Sequence, residues 1–221
     1  MNGLKILGLG CSMLAVIAMT SGCGSTVRKG IYSAYESVGV YKRDLLKKRV
    51  VAARDDQKEA GQQFKDALTR LKEITKFEGG DLERTYTALK SDYEKSASKA
   101  ETVHKRIRDV ETVAQDLFAE WEKEIQQITT ASLQSASRTQ LSETKSRYEE
   151  LHTALLRAEQ TMDPVLRKFN DQVLFLKHNL NAQAIASLKG ESANIQADIT
   201  QLITEMNRSI AQADEFVKQM K

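Results

Sequence analysis

The sequence predicts an all-α protein, an elongated antiparallel helical bundle with coiled-coil-like seams. Apolar residues recur at alternating three- and four-residue intervals over most of the chain, the signature of long helices with one sticky face. Of the 221 residues, 29% are charged, whereas one is proline and five glycines follow Gly30. A sheet-rich fold needs more turn residues than that. The few breakers are also clustered, so they divide the chain into helices of similar length, as side-by-side packing requires.

The first helix is expected over residues 31–76, where Leu46, Val50, Ala53, Gln57, Ala60, Phe64, Ala67, Leu71 and Ile74 form one stripe. Gly79 and Gly80 stop it, because glycine tolerates positive φ at a helix end, and Asp81 caps the next helix. That second helix, 82–129, carries a seam of Leu82, Tyr86, Leu89, Tyr93, Ser96, Ala100, Val103, Ile107, Val110, Ala114, Leu117 and Trp121. A sustained period of 3.5 points to coiled-coil-like packing and places Trp121 in the core. The Ser/Thr-rich segment 129–137 is read as a break, with Ser137 and Gln140 as a capping box.

The third helix, 138–178, runs through Leu141, Tyr148, Leu151, Leu155, Ala158, Met162, Val165, Phe169, Val173 and Leu176. Pro164 lies inside the stripe without shifting its register, so it is read as a kink in one helix. Lys177, His178 and Asn179 resemble a helix end, with Asn179 suited to a left-handed cap and Asn181 to an N-cap. The fourth helix, 181–218, follows through Leu188, Ile195, Ile199, Leu202, Met206, Ile210 and Val217; a turn at Gly190 is the alternative. The densest apolar block, Val173-Leu174-Phe175-Leu176, has Leu174 and Phe175 off the main stripe. They are expected to pack internally where three or more helices meet, because exposed they would be an aggregation liability unless covered by a partner.

Residues 1–22 read as a lipoprotein signal peptide: Lys5, an apolar run from Ile6 to Met19, then small residues. Thr20-Ser21-Gly22-Cys23 resembles the bacterial lipobox, whose cysteine is lipidated and becomes the mature N-terminus, although the motif prefers Leu where this chain has Thr20. Cys23 is the candidate lipidation site. The other cysteine, Cys11, sits inside the apolar run, and the body after Cys23 has no thiol for a disulfide, metal site or nucleophile. Residues 23–30 are a lipidated tether, with GSTVRKG spanning at most about 25 Å. The cationic run Arg28, Lys29, Lys42, Arg43, Lys47, Lys48 and Arg49 reads first as a solvated helix face, with contact to anionic headgroups as the alternative. The expected location is the bacterial cell envelope, at the periplasmic face of the outer membrane.

Loss of Lys5 with the leader leaves 32 basic against 30 acidic residues. Near neutrality and export both argue against a nucleic-acid partner. His104, His152 and His178 form no metal-binding spacing and read as solvated or capping residues. Pairs such as Asp55-Asp56 and Glu149-Glu150 read as surface charge. No catalytic residue, metal or cofactor is expected. The candidate interaction surface comprises Phe118, Leu174, Phe175 and His178.

Four blocks are similar to a proteobacterial family of predicted lipoproteins known as domain of unknown function 2959: Gly39-Val40-Tyr41-Lys42-Arg43-Asp44-Leu45-Leu46, Gly79-Gly80-Asp81-Leu82-Glu83, Leu117-Phe118-Ala119-Glu120-Trp121 and the segment 171–188. The resemblance spans nearly the whole mature chain and implies no activity and no catalytic residues. Members are sometimes labelled DNA-repair ATPases, yet this chain lacks the G-x-x-x-x-G-K-[ST] loop that such chemistry needs. The expected function is a non-enzymatic scaffold, adaptor or envelope sensor that is membrane-bound through its lipid and engages a protein or envelope component. An envelope hydrolase with a site assembled between helices is the alternative.

Metabolic labelling with a fatty acid should mark the wild-type chain and miss Cys23→Ser. Equal labelling of both would overturn the lipidation assignment.

Overall fold

Four stripes that each cover one side of a helix bury themselves most simply by facing a common axis. The computed structural model describes residues 41–75, 82–179 and 181–220. Its four described helices are α1 (Lys42–Thr75), α2 (Leu82–Gln127), α3 (Ala131–His178) and α4 (Ala182–Gln219). Residues 1–40, with the expected leader, Cys23, the tether and the start of the first helix, lie outside the described residues. No helix among the described residues is long and apolar enough to cross a membrane.

Each helix packs on two neighbours, α1 on α2, α2 on α3, α3 on α4 and α4 on α1, so the helices form a closed ring around one core. All neighbours are antiparallel. Along α1 and α2, ion pairs join Arg49 to Asp109, Asp56 to Arg106 and Arg70 to Asp92, the numbers rising on one helix as they fall on the other. Lys145 with Glu122, and Phe169 against Tyr93, give the same sense for α2 and α3. Lys168 with Asp198, and Tyr148 against Phe216, give it for α3 and α4, and Arg54 with Asp214 and Gly61 against Met206 for α1 and α4.

All nine stripe residues named for α1, and all ten named for α3, are buried. In α2 and α4 the buried face departs from the predicted stripe towards the C-terminus, and in α2 also at the start, where Leu82, Tyr86 and Tyr93 are half-buried. Phe118 and Ile125 are buried while Trp121 is half-buried, and Ser209, Ala213 and Phe216 are buried while Ile210 and Val217 are half-buried. The cause is helical geometry: a straight helix drifts by about 20° per heptad against a strict 3.5 repeat, so over five heptads the inward side rotates by about 100°. Trp121 ends at the edge of the core, its indole N–H donating to Ser137 Oγ at 2.9 Å.

That bond also corrects the second boundary. α2 ends at Gln127 and α3 begins at Ala131, so Ser137 lies within a helix and caps nothing. The N-cap is Thr130, without a side-chain cap bond. A three-residue connection suffices because Gln134 Nε2 donates to the carbonyls of Ile125 and Ile128, at 3.1 and 3.2 Å, and so satisfies acceptors that the end of α2 leaves free. The Ser/Thr cluster is too weak a breaker to delay α3.

The chain turns between α3 and α4 at Asn179, and Gly190 lies within α4. α3 continues through Pro164. Asn179 is not left-handed, having φ of −133° and ψ of 59°; its Nδ2 donates to the Phe175 carbonyl at 2.9 Å and its backbone N–H to that of Leu176 at 3.2 Å. Both bonds serve the free carbonyls that a left-handed cap would otherwise satisfy. Asn181 is the N-cap of α4, accepting from the Ala184 N–H at 2.9 Å.

Phe169 is wholly buried and Trp121 is not, so the two truncations should separate. Phe169→Ala should lower the urea-unfolding free energy by about 3–5 kcal/mol, and Trp121→Ala by no more than about 2 kcal/mol. Equal losses would contradict the rotated seam.

Candidate functional site

At the end of the bundle formed by the Asn179 turn, α3 and α4 leave a cleft of about 660 Å³ between them. Val165, Phe169, Val173 and Leu176 of α3 face the core. Lys168, Asp171, Gln172 and Phe175 lie on the flank that meets α4, where three- and four-residue steps bring them together. Leu188 and Ile195 of α4, both buried, lie beneath the cleft on the other side. The ion pair between Lys168 and Asp198 crosses the cleft far from the turn. Asp171 and Glu191 add two further carboxylates to the lining, and Asn194 Nδ2 donates to Glu191 at 3.4 Å. Gln172, only 7% exposed, has an Oε1 without a hydrogen-bond partner within the protein.

Leu174 and Phe175 are 49% and 40% exposed. The expected internal packing does not occur. A helix in a four-membered ring buries only the wedge between its two neighbours; Val173 and Leu176 occupy that wedge, while each successive residue turns by 100° and carries Leu174 and Phe175 out of it. Exposed His178 follows Leu174 by four residues and Phe175 by three, so all three share the outer face of the last turns of α3. Phe175 belongs to that face and to the cleft.

Phe118 does not join them. It is 8% exposed, meets the Tyr148 ring edge-on at 5.5 Å and 71°, and lies under the Lys145 ammonium. Helix drift placed it inside. Lys42 pairs with Glu120 and Arg49 with Asp109, so part of the cationic run ties α1 to α2; Arg43 and Lys48 are exposed.

Two histidines are neither solvated nor capping. His104 Nδ1 lies 2.6 Å from Glu159 and its Nε2 3.4 Å from Asp163, while His152 Nε2 lies 2.6 Å from Glu111. Both tie α2 to α3. No local spacing reveals such pairs, because the antiparallel fold brings the partners from far along the chain. Burial, followed by the Glu111 and Glu149 charges, raises the pKa of the Tyr148 phenol, which stacks on the His152 ring. No group of three or more His, Cys, Asp or Glu among the described residues is arranged to hold a metal ion.

Fold and cleft together define a long antiparallel four-helix bundle that presents an apolar, acid-rimmed groove at one hairpin. The chain belongs to the family described as Protein of unknown function (DUF2959), whose family model matches residues 31–220. No curated protein and no solved structure matches it.

Because Leu174 and Phe175 face solvent, the double variant Leu174→Ser, Phe175→Ser should unfold at a urea midpoint close to that of the wild type. A midpoint lowered as far as that of Phe169→Ala would show that both side chains belong to the core.

Proposed function

We propose that this protein is a non-enzymatic, lipid-anchored interaction module of the bacterial cell envelope, a scaffold, adaptor or sensor that engages its partner through the α3–α4 end of the bundle. The observation that carries the reading is the exposure of Leu174 and Phe175 beside the cleft. Adjacent large apolar side chains in water gain free energy when a partner covers them, and here they adjoin a groove able to orient that partner.

The position of this surface suits an anchored module. Lys42 pairs with Glu120, and the neighbouring Glu122 with Lys145, so the start of α1 lies level with the early part of α3. Phe175 is about 45 Å further along, at 1.5 Å per helical residue. The chain between Cys23 and Tyr41 joins the bundle at the start of α1, the end away from Phe175. The low net charge and the lipobox-like Thr20-Ser21-Gly22-Cys23 support an envelope partner over a nucleic acid.

A photo-crosslinking residue placed at Phe175 or His178 in living cells should capture a discrete partner that the same residue at Gln115, exposed on α2, does not. Identical capture at all three positions, or none at Phe175 and His178, would overturn this reading.

A further inference from the structure

We infer that the outer face of the last turns of α3 docks on the same face of a second copy of this chain, the two helices antiparallel about a two-fold axis. The inference rests on that face being the surface of engagement, and it names the partner. Asp171, Leu174, Phe175 and His178 are all exposed, the two apolar residues at 49% and 40%. On a helix, residues seven apart lie almost directly above one another, so Asp171 and His178 mark a line roughly 10 Å long, with Leu174 on one side of it and Phe175 on the other. An acid therefore stands at one end of the apolar pair and an imidazole at the other. Among the described residues, neither the Asp171 nor the His178 side chain has an ion-pair or hydrogen-bond partner within the chain.

That order of residues is complementary to itself. A two-fold axis set midway between Leu174 and Phe175, at right angles to the helix, reverses the order in the second copy. Asp171 then meets the partner's His178, and His178 the partner's Asp171. Leu174 meets the partner's Leu174 on one side of that line, and Phe175 the partner's Phe175 on the other. Both carboxylates gain an N–H donor, and four apolar side chains leave water together. Parallel helices would instead set acid level with acid and imidazole level with imidazole, an arrangement that repels. The chain already joins its own antiparallel helices by the same chemistry, His152 to Glu111 and His104 to Glu159, each at 2.6 Å and each beside buried apolar residues of α2 and α3. Overlap is confined to the last turns of α3, so the contact belongs with small, transient interfaces, with a dissociation constant on the order of 100 µM.

The test is sedimentation equilibrium of the purified chain from about 10 µM to about 1 mM, a range that brackets this affinity. The expected result is a monomer–dimer equilibrium with no larger species, because a two-fold contact closes on itself. Leu174→Ser, Phe175→Ser should remain monomeric. Asp171→Lys removes the carboxylate from both pairs and His178→Asp sets acid against acid, so each variant alone should associate about tenfold or more weakly than the wild type. Mixed in equal amounts, the two should recover association, since the mixed dimer holds one native pair and one reversed pair. A wild type that stays monomeric throughout, open-ended association, or a mixture no tighter than either variant alone would overturn the inference. Capture of a different protein at Phe175 in cells, by a chain that is monomeric in solution, would remove the second copy and leave the engagement surface standing. Dimerisation in solution with no capture at Phe175 or His178 in cells would sustain the two-fold contact and overturn the proposed engagement.

Discussion

Closure of the ring by α1 against α4 is the contact on which the rest of the bundle depends, because it joins the helices most distant in sequence and turns a row of three seams into a closed core. Gly61 of α1 faces α4, where an added methyl would lie 3.5 Å from Met206 Sδ and 3.7 Å from Ile203 Cδ1, and Ala53 and Ala60 of α1 and Ala213 of α4 are buried small residues. The larger Phe64, Leu202 and Phe216 are buried in the core on either side. In the same seam, Gln57 Nε2 and Oε1 and Ser209 Oγ are buried without hydrogen-bond partners within the protein. They fall between the Arg54–Asp214 ion pair and the Gly61–Met206 contact, so antiparallel register brings them to one layer. Buried polar groups sacrifice stability, and in helical seams their best-attested role is to specify register.

Apolar burial, not charge, supplies the stability of the seams. Each fully buried Leu, Ile or Phe is worth about 1.5–3 kcal/mol, whereas an exposed ion pair contributes about 0–1 kcal/mol. The many cross-helix pairs therefore add mainly orientation. Arg106 with Asp56, His104 with Glu159 and His152 with Glu111 lie part-buried along the α2 seams, where a shifted or parallel neighbour would separate them. This use of histidine absorbs two residues that in another setting would draw attention as chemical groups.

The two ends of the bundle are closed by different means. At the α2–α3 end, Gln134 ties the connection down through the carbonyls of Ile125 and Ile128. At the α3–α4 end, Asn179 and Asn181 make a tight turn, and the neighbouring cleft has its acidic lining and exposed Phe175. A long bundle transmits position along its length because its packed core does not deform continuously.

The sequence by itself determined the all-α class, the main core stripes of α1 and α3, and the turn at Asn179, because these depend on periodicity and capping within one segment. It also exposed the apolar pair Leu174-Phe175 as a place needing explanation. Tertiary structure decided which side of each helix faced inward wherever 3.6-residue geometry departed from a 3.5-residue pattern. That drift carried Phe118 into the core and Trp121 to its edge. Ring closure left Leu174 and Phe175 outside, since a helix with two neighbours has no third to cover its outer face. The candidate site was legible only in part for the same reason: Phe175 stood out locally, but Gln172, Asp171, Leu188, Glu191 and Ile195 look like ordinary helix residues until the Asn179 turn folds α4 back along α3. Their meaning lies in contacts between distant segments, and only the packing of one helix on the other creates them.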